Sequence, residues 1–140
     1  MGADSVSRID GTVQLVTDKT LIFPASATLS GTGTLERVTM QSGSTLTKNK
    51  ATGSSTLSIA NLTLDSGANI ELTGYTDAEF RSGITFVNGT NLDLPAVSAL
   101  NFTLNGTAYD WISMQTTSDG SGGYNVTAHY YDPGTVIIVR

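Results

Sequence analysis

The sequence predicts an all-β fold: a short β-solenoid of about four coils, followed by an antiparallel β-meander cap. Three observations lead there. A nine-residue phrase recurs four times, the composition suits strands far better than helices, and the last third of the chain turns to hairpin signals. The copies are Leu21-Ile22-Phe23-Pro24-Ala25-Ser26-Ala27-Thr28-Leu29, Val38-Thr39-Met40-Gln41-Ser42-Gly43-Ser44-Thr45-Leu46, Leu62-Thr63-Leu64-Asp65-Ser66-Gly67-Ala68-Asn69-Ile70 and Ile84-Thr85-Phe86-Val87-Asn88-Gly89-Thr90-Asn91-Leu92. Their starts fall 17, 24 and 22 residues apart, a period that suits one coil of stacked strands.

Each copy opens apolar–X–apolar. Strand side chains alternate between faces, so Leu21/Phe23, Val38/Met40, Leu62/Leu64 and Ile84/Phe86 point inward. Ile22, Thr39, Thr63 and Thr85 point outward as a β-branched row. A corner of small residues follows, with Gly43, Gly67 and Gly89 at one shared position where positive φ is needed, and Ser26 in their place in the first copy. Beyond the corner, Leu29, Leu46, Ile70 and Leu92 return inward, while Thr28, Thr45, Asn69 and Asn91 face out. One unit cannot bury its apolar side alone, and about three stacked units are needed. Connectors such as Ser30-Gly31-Thr32-Gly33-Thr34-Leu35 and Thr52-Gly53-Ser54-Ser55-Thr56-Leu57 end in a further strand signal, the third side of a coil. An ordinary antiparallel sandwich is the competing architecture.

Three regions result: a lead-in over 1–12, solenoid repeats over 13–95, and antiparallel hairpins over 96–140 that cap the solenoid within one compact unit. In the last region Asn105-Gly106 separates two alternating runs, a strong two-residue hairpin signal. A second hairpin runs from Trp111 to Thr117, through Asp119-Gly120-Ser121-Gly122-Gly123, and back along Tyr124 to Tyr131. Thr, Ser and Asn supply 45 of 140 residues and charged residues only 14%, a balance that weakens helix interiors. The stretch Asp77-Ala78-Glu79-Phe80-Arg81 makes one helical turn at most.

The net charge of −5 argues against nucleic acid or an anionic membrane surface as a partner. With no cysteine there are no disulfides or thiolate metal sites. No apolar run is long enough to insert in a membrane. Met1-Gly2-Ala3-Asp4-Ser5 is not a signal peptide, so the expectation is a mature segment or excised domain. Five Asn-X-Thr triplets, at Asn61, Asn88, Asn101, Asn105 and Asn125, read as chance in a Thr-rich chain.

The phrases GTGTL, LTLDSGANIEL and ITFVNGTNLDL, with the ending LNFTLNGTAYDWI, resemble passenger regions of bacterial autotransporter-like surface proteins. The likeness spans roughly residues 29–115. It implies a right-handed β-helix and an extracellular, non-catalytic structural or adhesin segment: a rigid stalk or presentation module at a bacterial cell surface. It supplies no functional residues.

The residues themselves offer little chemistry. His129 lies on the more polar side of its strand with no placed nucleophile, so it reads as a surface histidine. Asp77, Glu79 and Arg81 sit in a long connector, and Glu71 and Asp93 follow the phrase at one offset, which would set them about 5 Å apart on neighbouring coils. Solvated surface carboxylates are the better reading of all of these, and no catalytic residue, cofactor or metal is expected. Asp119-Gly120-Ser121-Gly122-Gly123 reads as a hairpin tip rather than a calcium loop.

Two surfaces remain as candidates. Tyr109, Trp111, Tyr124, Tyr130 and Tyr131 would contact a glycan if exposed, or else fill a small cap core, the favoured reading. Thr135, Val136, Ile137, Ile138 and Val139 form an apolar terminal strand suited to strand addition, by a second copy or another surface protein. The alternatives to a stalk are therefore a self-assembling fibre or coat subunit and, more weakly, a carbohydrate-binding module.

Overall fold

On either side of the corner in the first three copies of the phrase, β-branched and apolar residues alternate and the backbone is extended. The computed structural model describes residues 6–9, 12–13, 20–52 and 56–131. Its strands are β1 (Val6–Ile9), β2 (Thr12–Val13), β3 (Leu21–Phe23), β4 (Thr28–Gly31), β5 (Thr34–Met40), β6 (Thr45–Asn49), β7 (Ser58–Leu64) and β8 (Asn69–Thr73), then β9 (Ile84–Gly89), β10 (Asn91–Asp93), β11 (Asn101–Leu104), β12 (Thr107–Tyr109), β13 (Ile112–Ser118) and β14 (Tyr124–Tyr130). Among the described residues a single helix, α1 (Asp77–Ser82), and two 3-10 turns interrupt them. The fold is all-β, in two sheets. The terminal strand expected over 135–139 lies outside the described residues.

The first sheet runs β1-β4-β6-β8-β11-β12 and is parallel until β12 joins antiparallel. The second runs β13-β14-β9-β7-β5-β2, with β3 also paired to β5 and β10 to β7. Its strands are parallel from β2 through β9, after which β14 and β13 are antiparallel. Parallel neighbours cannot be joined by tight turns, so the chain crosses to the opposite sheet between them. An ordinary antiparallel sandwich is thereby excluded.

The first three copies of the phrase align residue for residue. Leu21 pairs with Val38 and Val38 with Leu62, while Leu29 pairs with Leu46 and Leu46 with Ile70. Ser26, Gly43 and Gly67 hold the corner with φ of 71°, 84° and 88°. Their amides form a column: Ser26 N donates to Gly43 O at 3.0 Å, Gly43 N to Gly67 O at 2.9 Å, and Gly67 N to Ala99 O at 2.7 Å. Even the corners, where chains often leave backbone groups to water, are thus paired from one row to the next.

That column exposes a correction. The fourth row is not the fourth copy of the phrase. Leu62 pairs with Leu92, not Ile84, and Asn69 pairs with Asn101, not Asn91. Ile84–Gly89 is drawn instead along β14, with Thr85 against Thr127, and of these residues Asn88 alone is in ladder register with β7, opposite Ser58. Gly89 accordingly is not at a corner and lacks a positive φ; a Cβ there would collide with the Ile59 carbonyl, so glycine permits close backbone approach. The true corner of the fourth row is Pro95–Leu100, with eight residues between Leu92 and Asn101 where six lie between Leu62 and Asn69. Leu92-Asp93-Leu94-Pro95-Ala96 does echo Leu21-Ile22-Phe23-Pro24-Ala25, and that echo was the available signal.

The core lies between the sheets. Phe23, Leu29, Leu35, Met40, Leu46, Ile59, Ile70 and Leu72 are all fully enclosed, and Phe86 meets Phe102 edge-on at 6.1 Å. Every inward position predicted in the first three copies is buried except Leu21, which is half-buried at the start of its row. At about 25 cal/mol per Å² of apolar area, this shared interior is the main stabilising term.

Candidate binding cleft

The Asn105-Gly106 turn forms as expected, with both residues at positive φ (51° and 86°), and returns β12 along β11. The chain must then pass from the first sheet to the second within Asp110 and Trp111, since β13 belongs to the other sheet. Trp111 makes that crossing at φ 61°, a left-handed conformation rarely adopted by a bulky residue. Its side chain is 54% exposed. The Tyr131 amide donates to the Trp111 carbonyl at 3.1 Å, and the two rings stand edge to face at 6.2 Å.

Together these residues open a cleft of about 420 Å³ between the fourth-row corner and the crossing. Leu100, Phe102 and Ile112 form its apolar floor, and Tyr109, Trp111 and Tyr131 its aromatic walls. Asp110 and Ser98 are the polar residues of its lining, and both are exposed. A concave, mainly apolar surface with a few polar groups is the usual form of a small-molecule site.

The cleft has a braced wall. Tyr109 packs edge-on against Tyr130 at 4.7 Å and, tilted by 57°, against Phe80 of α1 at 5.4 Å, and its hydroxyl donates to Asp77 Oδ1 at 3.1 Å. Burial, and then the Asp77 carboxylate, hold the Tyr109 hydroxyl above its ordinary pKa. The Arg81 guanidinium lies 5.1 Å from the Tyr130 ring centre and bonds Asp77 Oδ2 at 2.9 Å. α1 is itself fixed by a capping box between Thr76 and Glu79, and Lys50 Nζ reaches Glu79 Oε2 at 2.6 Å. At six residues it is longer than the single turn the sequence suggested.

The five candidate aromatics therefore divide. Tyr109, Trp111 and Tyr131 meet at the cleft; Tyr130 goes into the aromatic cluster; Tyr124 is exposed at the far end of β14, away from the others. The expected filling of a cap core holds for Tyr109 and Tyr130 but fails for Trp111, Tyr124 and Tyr131, because the crossing turns Trp111 outward.

The carboxylate candidates are not brought together. Glu71 pairs with Thr47 and Thr103 in the first sheet and accepts from the Thr47 hydroxyl at 2.9 Å, whereas Asp93 pairs with Thr63 in the second. The predicted 5 Å approach fails because the fourth row is not the fourth phrase. Asp77 and Glu79 serve α1, and their partners Arg81 and Lys50 hold both carboxyls below their ordinary range. His129 is half-buried with its ring against Gly83, where it fills the space a Cβ would need. Asp119 closes the hairpin tip, with Oδ1 accepting from the amides of Ser121 and Gly123 and Oδ2 from Asn88 Nδ2. Among the described residues no group of three His, Cys, Asp or Glu side chains is placed to hold a metal.

One unusual residue escaped the sequence reading. Lys48 is 4% exposed and points inward, in the row where Leu72 and then Leu104 stand. Its burial holds the ammonium below its ordinary pKa, and it lines a polar cavity with Thr56, Tyr75, Thr85 and Asn125. Alternation from Leu46 was signal enough to place it inside.

No family model, curated protein or solved structure matches this chain.

Proposed function

We propose that the parallel rows are successive coils of a short right-handed β-solenoid, and that the protein is a non-catalytic structural segment of an extracellular bacterial surface protein. In this role it is a rigid stalk or presentation module. The observation that carries the reading is the continuous pairing of rows, through strands and corners alike, from Ser26 to Ala99. A column with paired corners resists bending and shear, as a spacer must.

The antiparallel strands β12, β13 and β14 support a terminated rather than an extending column, since they offer a following row no parallel template. Sedimentation velocity over a wide concentration range tests this. A single monomer throughout supports the stalk. Growth into polymers overturns it in favour of a self-assembling fibre or coat subunit.

A further inference from the structure

We infer that the cleft between Trp111, Tyr131 and the fourth-row corner is a binding site for a neutral sugar ring. Three features converge on that ligand. Trp111 is held outward at a left-handed φ where glycine would be relaxed, so the crossing alone does not call for an indole. The walls are aromatic and the floor apolar, a surface that fits the C–H face of a pyranose. Asp110 and Ser98 in the lining carry oxygens able to accept hydrogen bonds from ring hydroxyls, which a purely apolar ligand lacks.

The chemistry of the lining narrows the choice further. Among the described residues no Lys, Arg or His lines the cleft, Asp110 contributes an acidic side chain, and the chain carries a net charge of −5. Acidic sugars are disfavoured by that field. A volume of about 420 Å³ suits one or two rings better than an extended peptide. Tyr109, braced by Tyr130, Phe80 and Asp77, needs no ordering when a ring arrives. The stalk reading does not depend on this site, and its sedimentation test is separate.

Trp111 is the only tryptophan, so its fluorescence reports the cleft directly. The experiment titrates the protein with methyl glycosides of glucose, galactose, mannose and N-acetylglucosamine, and with their β-linked disaccharides. At least one sugar is expected to give a saturable blue shift, with Kd on the order of 1 mM for so small a contact. Calorimetry on Trp111→Gly should then show at least a tenfold loss of affinity with no loss of thermal stability, because glycine relaxes the backbone there. Tyr124→Ala, at an exposed aromatic outside the cleft, should bind as the parent does. The inference is overturned if no sugar in the panel shifts Trp111 at 50 mM (an assay ceiling on the order of weak ligand binding). Unchanged binding by Trp111→Gly, or a Trp111 response to a proline-rich peptide and to no sugar, overturns it equally.

Discussion

Ser26 donates its amide to the Gly43 carbonyl at 3.0 Å, and the two residues share a left-handed backbone, φ 71° and 84°. Serine performs in the first row what glycine performs in the second, at a steric disadvantage of about 1 kcal/mol. Ser26→Gly should therefore stabilise the fold by up to about 1 kcal/mol, less the entropy glycine gives the unfolded chain. The reverse change at the next corner, Gly67→Ala, meets Ser42 as well as an unfavourable φ of 88°. It should destabilise by about 1–2 kcal/mol. Urea unfolding of both variants reads the two signs; matching signs would refute the corner account.

The register of the fourth row is open to direct test, since the chain has no cysteine. Thr63 pairs with Asp93. A Thr63→Cys/Asp93→Cys variant should form a disulfide under mild oxidation, neighbouring strands lying about 4.8 Å apart. Thr63→Cys/Thr85→Cys, which the repeat phrase alone would favour, should not. Mass spectrometry of the oxidised proteins distinguishes them.

The seating of α1 should depend on acid. Asp77 and Glu79 have carboxyls depressed by Arg81 and Lys50, so their contribution is present above the ordinary carboxylate range and is lost as pH falls through their lowered values. The amides of Phe80 and Gly83, which bond Thr76 O and Glu79 O, should exchange with reduced protection at pH near 2 than at pH 6 (settings of about two units either side of ordinary carboxylate values). Glu79→Gln keeps the capping box but loses the Lys50 pair, and should flatten part of this dependence. Constant protection across the range would show that Phe80 packing alone holds the helix.

Lys48 should give a pH signature of the same sign, but at alkaline pH. Its folded pKa lies below the ordinary 10.5, so between those values the unfolded chain binds more protons and stability rises with pH. Lys48→Leu, which continues the row of Leu72 and Leu104, should remove that rise and stabilise the protein at neutral pH by on the order of 1 kcal/mol. Urea midpoints at pH 7 and 10 (settings about three units below and close to the ordinary lysine value) check both expectations. A destabilised variant at neutral pH would show that the ammonium holds its surroundings together.

The local terms were legible in the amino-acid order alone. Alternation marked which residues face inward, as Phe23, Met40 and Leu64 show, and positive-φ corners were legible at Gly43 and Gly67. Asn105-Gly106 announced its hairpin because two consecutive left-handed residues admit few other conformers. These features depend on steric rules acting within a few residues. Which strand lies beside which was decided only in the tertiary structure. Ile84–Gly89 matched the phrase as well as any copy, yet β14 claimed it and Leu92 took the place beside Leu62. Alternation specifies a face but not a neighbour, and the neighbour follows from backbone pairing between segments tens of residues apart. The same reason hid the cleft: Trp111 and Tyr131 are brought together by a crossing between sheets, and no spacing along the chain records it.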